Sequence, residues 1–334
     1  MSVIISQTVI YCTVIQFGID SFSGMERMKT INRTGVIFLL ACVCCFLWGS
    51  ASPSIKTGYE LFQIAESDTW SIILFAGIRF FLAGLLVILF ESIKEKRVVL
   101  PEKGSGKAIV ILSLAQTILQ YFFFYIGLAH TSGVTGTILS GTGGFLSIIM
   151  AACIFRLEKI TVNKLLGIVL GLAGVVLMNL SPESGQLFSF TLMGEGLILL
   201  SQVSYALSGI LVKKFSSRFS VVMLSGWQFI LGGAVMAMTG IVMGGHISLS
   251  SGPSGLLLMI YLALISAVAY TLWGTLMKYN PVSRVAIFNF LTPLFGVILS
   301  AIFLNELEQA LQPNKLLALI LVCLGIFIVN VRKD

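Results

Sequence analysis

The chain has 334 residues, 57% of them hydrophobic and only 10% charged, with a mean hydropathy of +1.00. A soluble domain carries about 25% charged residues, so this composition excludes an ordinary water-soluble fold and suits lipid. The net charge of +7 reads as loops biased toward Lys and Arg on one membrane side, and not as a nucleic-acid surface.

Cys12, Cys42, Cys44, Cys45, Cys153 and Cys323 mostly fall inside apolar runs. They lack paired ligand spacing, which argues against a disulfide framework or a zinc site. His130 and His246 stand at segment ends with no acidic or cysteine companion, so neither metal nor cofactor is expected.

Residues 1–34 form an N-terminal extension. Val3–Ile19 is apolar but carries Gln7 and Gln16 and has no basic residue before it, unlike a secretory signal. Met28 opens a basic lead-in to the first strong segment, so translation is expected to start there; the alternative is an eleventh, peripheral helix.

Ten apolar segments follow, at about Gly35–Tyr59, Trp70–Glu91, Lys107–Ala129, Gly133–Phe155, Val162–Leu180, Gly194–Lys213, Ser220–Gly244, Ser254–Lys278, Val282–Leu304 and Asn314–Val331. Each approaches the ~20 residues that span a bilayer. Backbone polar groups cannot go unpaired in lipid, so such runs must be helices.

Loop charge sets the orientation. Eighteen basic residues fall on the side of the N-terminus: Arg27, Lys29, Arg33, Lys94, Lys96, Arg97, Lys103, Lys107, Arg156, Lys159, Lys164, Lys213, Lys214, Arg218, Lys278, Arg284, Arg332 and Lys333. Two, Lys56 and Lys315, fall on the other, and Arg79 lies within a span. The positive-inside rule then puts both termini in the cytoplasm of a cell whose cytoplasmic (inner) membrane holds the chain.

The fifth and tenth segments repeat. Asn163–Leu180 and Asn314–Val331 share seven of 18 positions, including the Asn-Lys start, Gly174 with Gly325, and Asn179 with Asn330. Upstream, Glu158 follows Phe155 by three residues and Glu306 follows Phe303 by three. The chain is thus one unit written twice, residues 35–181 and 193–334. Five helices per copy is an odd number, which turns the second copy upside down relative to the first. Inverted repeats of this kind are typical of secondary transporters.

No enzyme constellation is present: no phosphate-binding loop of the nucleotidase kind, no paired intramembrane carboxylates and no Ser-His-Asp set. In an inverted repeat, the substrate site is marked by Gly- or Pro-interrupted spans at matching positions. Aligning on Glu158 and Glu306 sets Phe145 against Pro293, and Gly141–Gly144 against Asn289–Thr292. Pro293 removes a donor and frees the Asn289 carbonyl. Gly141, Gly144, Asn289, Thr292 and Pro293 are therefore candidate substrate-binding residues, with close helix packing as the alternative role of the glycines.

Arg79 sits near the middle of its span, where insertion costs about 2.5–3.5 kcal/mol. As a functional group it would attract an anionic or zwitterionic substrate; as a structural one it would tie helices together, and the sequence leaves both open. Trp48, Gln116, Gln120, Tyr121, Gln202, Tyr205, Tyr270 and Trp273 spread polar and aromatic groups over the first, third, sixth and eighth segments. Together they outline a wet central pathway, since lipid-facing Gln is costly. No Asp or Glu lies deep in a span, which favours uniport, exchange or potential-driven flux over proton coupling.

The LWGS start of the first segment, the Arg79 region, the paired Glu158 and Glu306, and above all Thr292–Glu306 (TPLFGVILSAIFLNE) resemble the EamA-type members of the drug/metabolite transporter superfamily. The resemblance covers residues 35–332. It implies ten helices around a central cavity, alternating access, and movement of small organic solutes such as amino acids or other metabolites. Phe145 departs from the pattern, since family members usually carry Pro there too. The expectation is an all-α membrane protein that is not an enzyme. Its partners are a small-molecule substrate and the lipid bilayer, with room for a homodimer and no nucleic acid. A non-transporting membrane scaffold or membrane-embedded enzyme is the alternative.

Overall fold

A computed structural model describes residues 34–150, 154–155, 161–178, 190–279, 285 and 287–330. The extension up to residue 33, Cys153, Glu158 and Asn179 lie outside them. The described residues are helical, without strands. Among the described residues, six helices are long and apolar enough to cross a membrane, and four shorter apolar helices accompany them.

The first segment is the helix Thr34–Leu61, which carries Pro53 inside it. The second, Thr69–Glu95, starts where the Asp68 carboxylate accepts from the Ser71 backbone N–H at 3.1 Å and ends at Lys96 in a left-handed conformation. A side chain that accepts from the free N–H groups of a first turn fixes a helix start. The third segment runs Gly106–Leu112, a π-helical stretch Ser113–Leu119, then Gln120–Ala129. The fourth is broken into Gly133–Ser140 and Thr142–Ile149, and the fifth is Val162–Met178. A π turn Leu192–Gly196 leads into the sixth, Leu197–Phe215, followed by Val221–Val242 and Pro253–Tyr279. The ninth opens as a 3₁₀ turn Ile287–Phe290 before Leu291–Phe303, and the tenth is Pro313–Asn330.

The second and seventh segments pack along most of their lengths. Gly77 and Gly84 lie seven residues apart, as do Gly226, Gly233 and Gly240. A Cβ at Gly77 would collide with the Ala237 backbone, one at Gly84 would lie 2.6 Å from the Ile230 nitrogen, and one at Gly233 would collide with the Phe81 nitrogen. Lipid tails are as apolar as leucine, so two such helices associate through close contact rather than hydrophobic burial, and glycine permits it.

The fifth and tenth segments form a second pair. A Cβ at Gly174 would lie 2.9 Å from the Ala318 carbonyl, and one at Gly325 would lie 2.6 Å from the Gly167 carbonyl. Matching Asn163 to Asn314 matches Gly174 to Gly325 and Gly167 to Ala318. The two contacts are therefore one contact seen from each copy, as in a self-complementary interface. The other pairings behave alike. The first segment packs on the eighth and ninth while the sixth packs on the third and fourth, and the second packs on the eighth while the third packs on the seventh.

Connections meet in two groups. At one end the Glu102 carboxylate accepts from the Ser220 N–H at 3.0 Å, and the Trp227 indole donates to the Val99 carbonyl at 3.1 Å. At the other, the Ser248 N–H donates to the Phe62 carbonyl at 3.1 Å and the His246 N–H to the Ser71 hydroxyl at 2.8 Å. There too the Glu306 carboxylate receives the Gly133 and Val134 N–H groups at 2.9 and 2.8 Å, Thr131 donates to Glu195 at 3.0 Å, and the Lys315 ammonium donates to Thr135 at 2.6 Å. Glu306 thus caps the fourth segment from across the molecule, where exposed N–H groups and the helix dipole favour a negative charge.

Candidate functional site

Arg79 is 2% exposed and ties three segments together. Its Nε donates to the Leu262 carbonyl at 3.0 Å, Nη2 to the Ser266 hydroxyl at 3.1 Å, and Nη1 to the Tyr125 hydroxyl. The guanidinium also lies 4.9 Å from the Phe80 ring centre and 5.8 Å from that of Tyr125. Tyr59 donates to the Tyr125 carbonyl at 2.9 Å, adding the first segment to the junction. Arg79 therefore has a carbonyl and two hydroxyls for partners, inside the bundle and away from lipid.

In front of that junction stands an aromatic cluster. Phe80 lies 4.0 Å from Tyr121, whose hydroxyl is 2.6 Å from that of Tyr270. Tyr270 meets the Trp48 ring edge-on at 5.7 Å, and Trp48 meets Trp273 at 5.1 Å. Gln120 is buried on the third segment, directly before Tyr121 in the chain. Gln116 is buried in the π-helical stretch. Such stretches insert an extra residue per turn and recur at functional sites. Trp48, Tyr205, Tyr270, Trp273 and Asn289 are all half-buried, although rings this large are easily buried in a packed bundle. Three of them, Trp48, Tyr270 and Trp273, meet edge-on across the first and eighth segments.

The second part of the site is where the fourth and ninth segments cross. The fourth breaks at Gly141, and the ninth changes from 3₁₀ to α between Phe290 and Leu291. These two changes fall at nearly matching positions of the copies. A Cβ at Gly141 would lie 3.5 Å from the Pro293 ring, and one at Gly49 would lie 3.0 Å from the Thr292 carbonyl. Gly143 packs against Gln202 and Tyr205, while Gly144 has nothing within 4 Å of its Cβ position. Phe145, standing where Pro was expected, is buried, with its ring against Gly171 and Gly325. The break in this copy thus belongs to Gly141, and Phe145 wedges the fifth and tenth segments.

Sequence reasoning passed over Tyr125, Ser266, Phe229 and Gln228. Phe229 lies 5.1 Å from Tyr270 and 5.5 Å from Phe80, and Gln228 accepts from the Thr117 hydroxyl. Spacing held a signal for two of them. Tyr125 follows Tyr121 by four residues and Ser266 precedes Tyr270 by four, which places each pair on one helix face.

The EamA-like transporter family pattern matches residues 35–180 and 192–331. A probable amino-acid metabolite efflux pump of Escherichia coli (strain K12) is 26% identical over 306 residues, covering 89% of this chain and 94% of that protein. The uncharacterized transporter YvbV of Bacillus subtilis (strain 168) is 26% identical over 92% of this chain and 95% of its own. A WAT1-related chloroplastic protein of Arabidopsis thaliana is 25% identical over 85% of this chain and 67% of its own. One solved crystal structure superposes with a TM-score of 0.60 at 17% identity, covering 86% of this chain and 95% of that one, a likeness of fold alone. With both halves matched and apolar helices throughout, the chain belongs to the EamA-like transporter family and is a multi-pass membrane transporter.

Proposed function

We propose that the ten apolar segments form two inverted five-helix repeats, residues 35–181 and 193–334, which carry a small organic solute across the cytoplasmic membrane by alternating access. The termini are cytoplasmic, and the solute is an amino acid or other metabolite. The observation that carries this reading is the reciprocal packing. The Gly174–Ala318 and Gly325–Gly167 contacts exchange when the copies are exchanged, and inverted repeats of this kind rock around a central site. The grouping of connections at two ends supports the alternating direction of the segments.

The site proposed for the solute is the shared interior of Trp48, Tyr205, Tyr270, Trp273 and Asn289, flanked by Gln116, Gln120, Tyr121 and Gln202. The Gly141–Gly144 and Asn289–Pro293 breaks supply the hinge level. The efflux pump among the relatives supports an amino-acid-like cargo. A comparison of metabolites inside and outside cells lacking and overproducing the protein tests this function. A reciprocal change in one class of small solute is expected; unchanged profiles at verified protein levels would contradict it.

A further inference from the structure

Arg79 brings a permanent charge into the centre of the bundle, yet its partners are the Leu262 carbonyl and the Tyr125 and Ser266 hydroxyls. The carboxylates of Asp68, Glu195 and Glu306 are engaged elsewhere, by Ser71, by Thr131 and Thr191, and by the Gly133 and Val134 N–H groups. Among the described residues, no carboxylate forms an ion pair with Arg79. A neutral amide can also bridge helices, at a far lower desolvation cost than an unpaired charge. The charge itself is therefore what the site retains.

That charge is not far from the proposed site. One ring, Phe80, separates the guanidinium from Tyr121, and Tyr121 reaches Tyr270 through its hydroxyl. Buried rings screen poorly, so the positive field extends to the half-buried surface around Tyr270 and Trp48. A second, independent feature points to a ligand there. Gln120 is 6% exposed, and its Oε1 has no hydrogen-bond partner among the described residues. That unpaired, enclosed acceptor, next to Tyr121 in the chain, calls for a donor that the N–H of a bound solute would supply.

We propose that Arg79 sets the charge class of the substrate: an organic acid that binds with a free carboxylate, an N–H donor for Gln120 and a flat apolar body against the rings, while organic cations are rejected. This rests on the substrate-site reading above. Four forms of one skeleton separate charge from shape: N-acetylphenylalanine (anion), phenylalanine (zwitterion), N-acetylphenylalaninamide (neutral) and phenylalaninamide (cation). All four carry an N–H donor and the same ring.

Titration calorimetry of each into the full chain in detergent, at about pH 6.0, where the free amines are protonated and the carboxylates ionised, needs no substitution. The two carboxylates are expected to bind about tenfold tighter or better than the two amides, a difference of about 1.4 kcal/mol. Arg79→Lys, which keeps the charge, is expected to keep that order where it folds. Phenylalaninamide binding as tightly as phenylalanine would overturn the charge assignment and leave the site standing. No binding of any of the four would overturn this substrate class altogether, while the metabolite comparison would still decide whether the protein transports.

Discussion

At the residue scale, cost and partnership decide what each polar group is for. Ser266 is a neutral partner of a buried charge, and hydrogen bonds to charged groups are worth about 1.5–3 kcal/mol. Ser266→Ala is therefore expected to lower stability by about that amount, read as a lower thermal midpoint in detergent; an unchanged midpoint would remove Arg79 from its anchoring role. At Asp68, outside the spans, burial raises the carboxyl pKa, but the Ser71 hydroxyl and N–H and the His246 charge outweigh it and hold the group below its ordinary value. A depressed acid stabilises the fold above its unfolded value of about 3.9 and loses that contribution as pH falls through the folded one. The midpoint gap between wild type and Asp68→Asn is thus expected to be open at pH 7 and to close as the pH drops below about 4. A gap independent of pH would contradict the cap.

At the scale of elements, the glycines divide into two kinds with opposite predictions. Gly233 lies against the Phe81 backbone and Gly77 carbonyl, which cannot move aside as a side-chain tip can. Gly233→Val is expected to force the second and seventh segments apart and to cost several kcal/mol, on the order of 3 or more, seen as loss of protein from the membrane fraction. Gly144, with open space beside it inside a helix, accepts Gly144→Ala with a gain of about 0.5–1 kcal/mol. The Glu306 cap is a third test. A Gln there keeps one acceptor for two N–H groups and loses the charge at the helix start. Glu306→Gln is expected to destabilise by about 1–3 kcal/mol, read by thermal unfolding. The apolar runs made the helices legible, and the Gly141 break could be read from composition. The partner of each helix could not, because the heptad glycines of the second and seventh segments show which face is close-packed without naming what packs on it. Glu306 was visible as a repeated residue, but its distant target, the start of the fourth segment, appears only in three dimensions.

At the scale of the whole molecule, the repeat was legible because one helix pair kept its sequence. Asn163–Leu180 and Asn314–Val331 still match, and their mutual packing explains it, since a contact made by both copies with each other constrains both at once. The central residues kept no such match. Trp48, Tyr270 and Trp273 come from two segments of opposite copies, and their meeting depends on how those copies cross. The sequence therefore offered them as a set without an arrangement, and Arg79 without its neutral partners. The most direct test of the account is the accessibility of a single cysteine at Asn289→Cys, in a chain whose other cysteines are replaced, to a membrane-impermeant thiol reagent added to either side of sealed vesicles. Alternating access predicts labelling from both sides with no open-channel leak. Labelling from neither side, or from one side only, would contradict it.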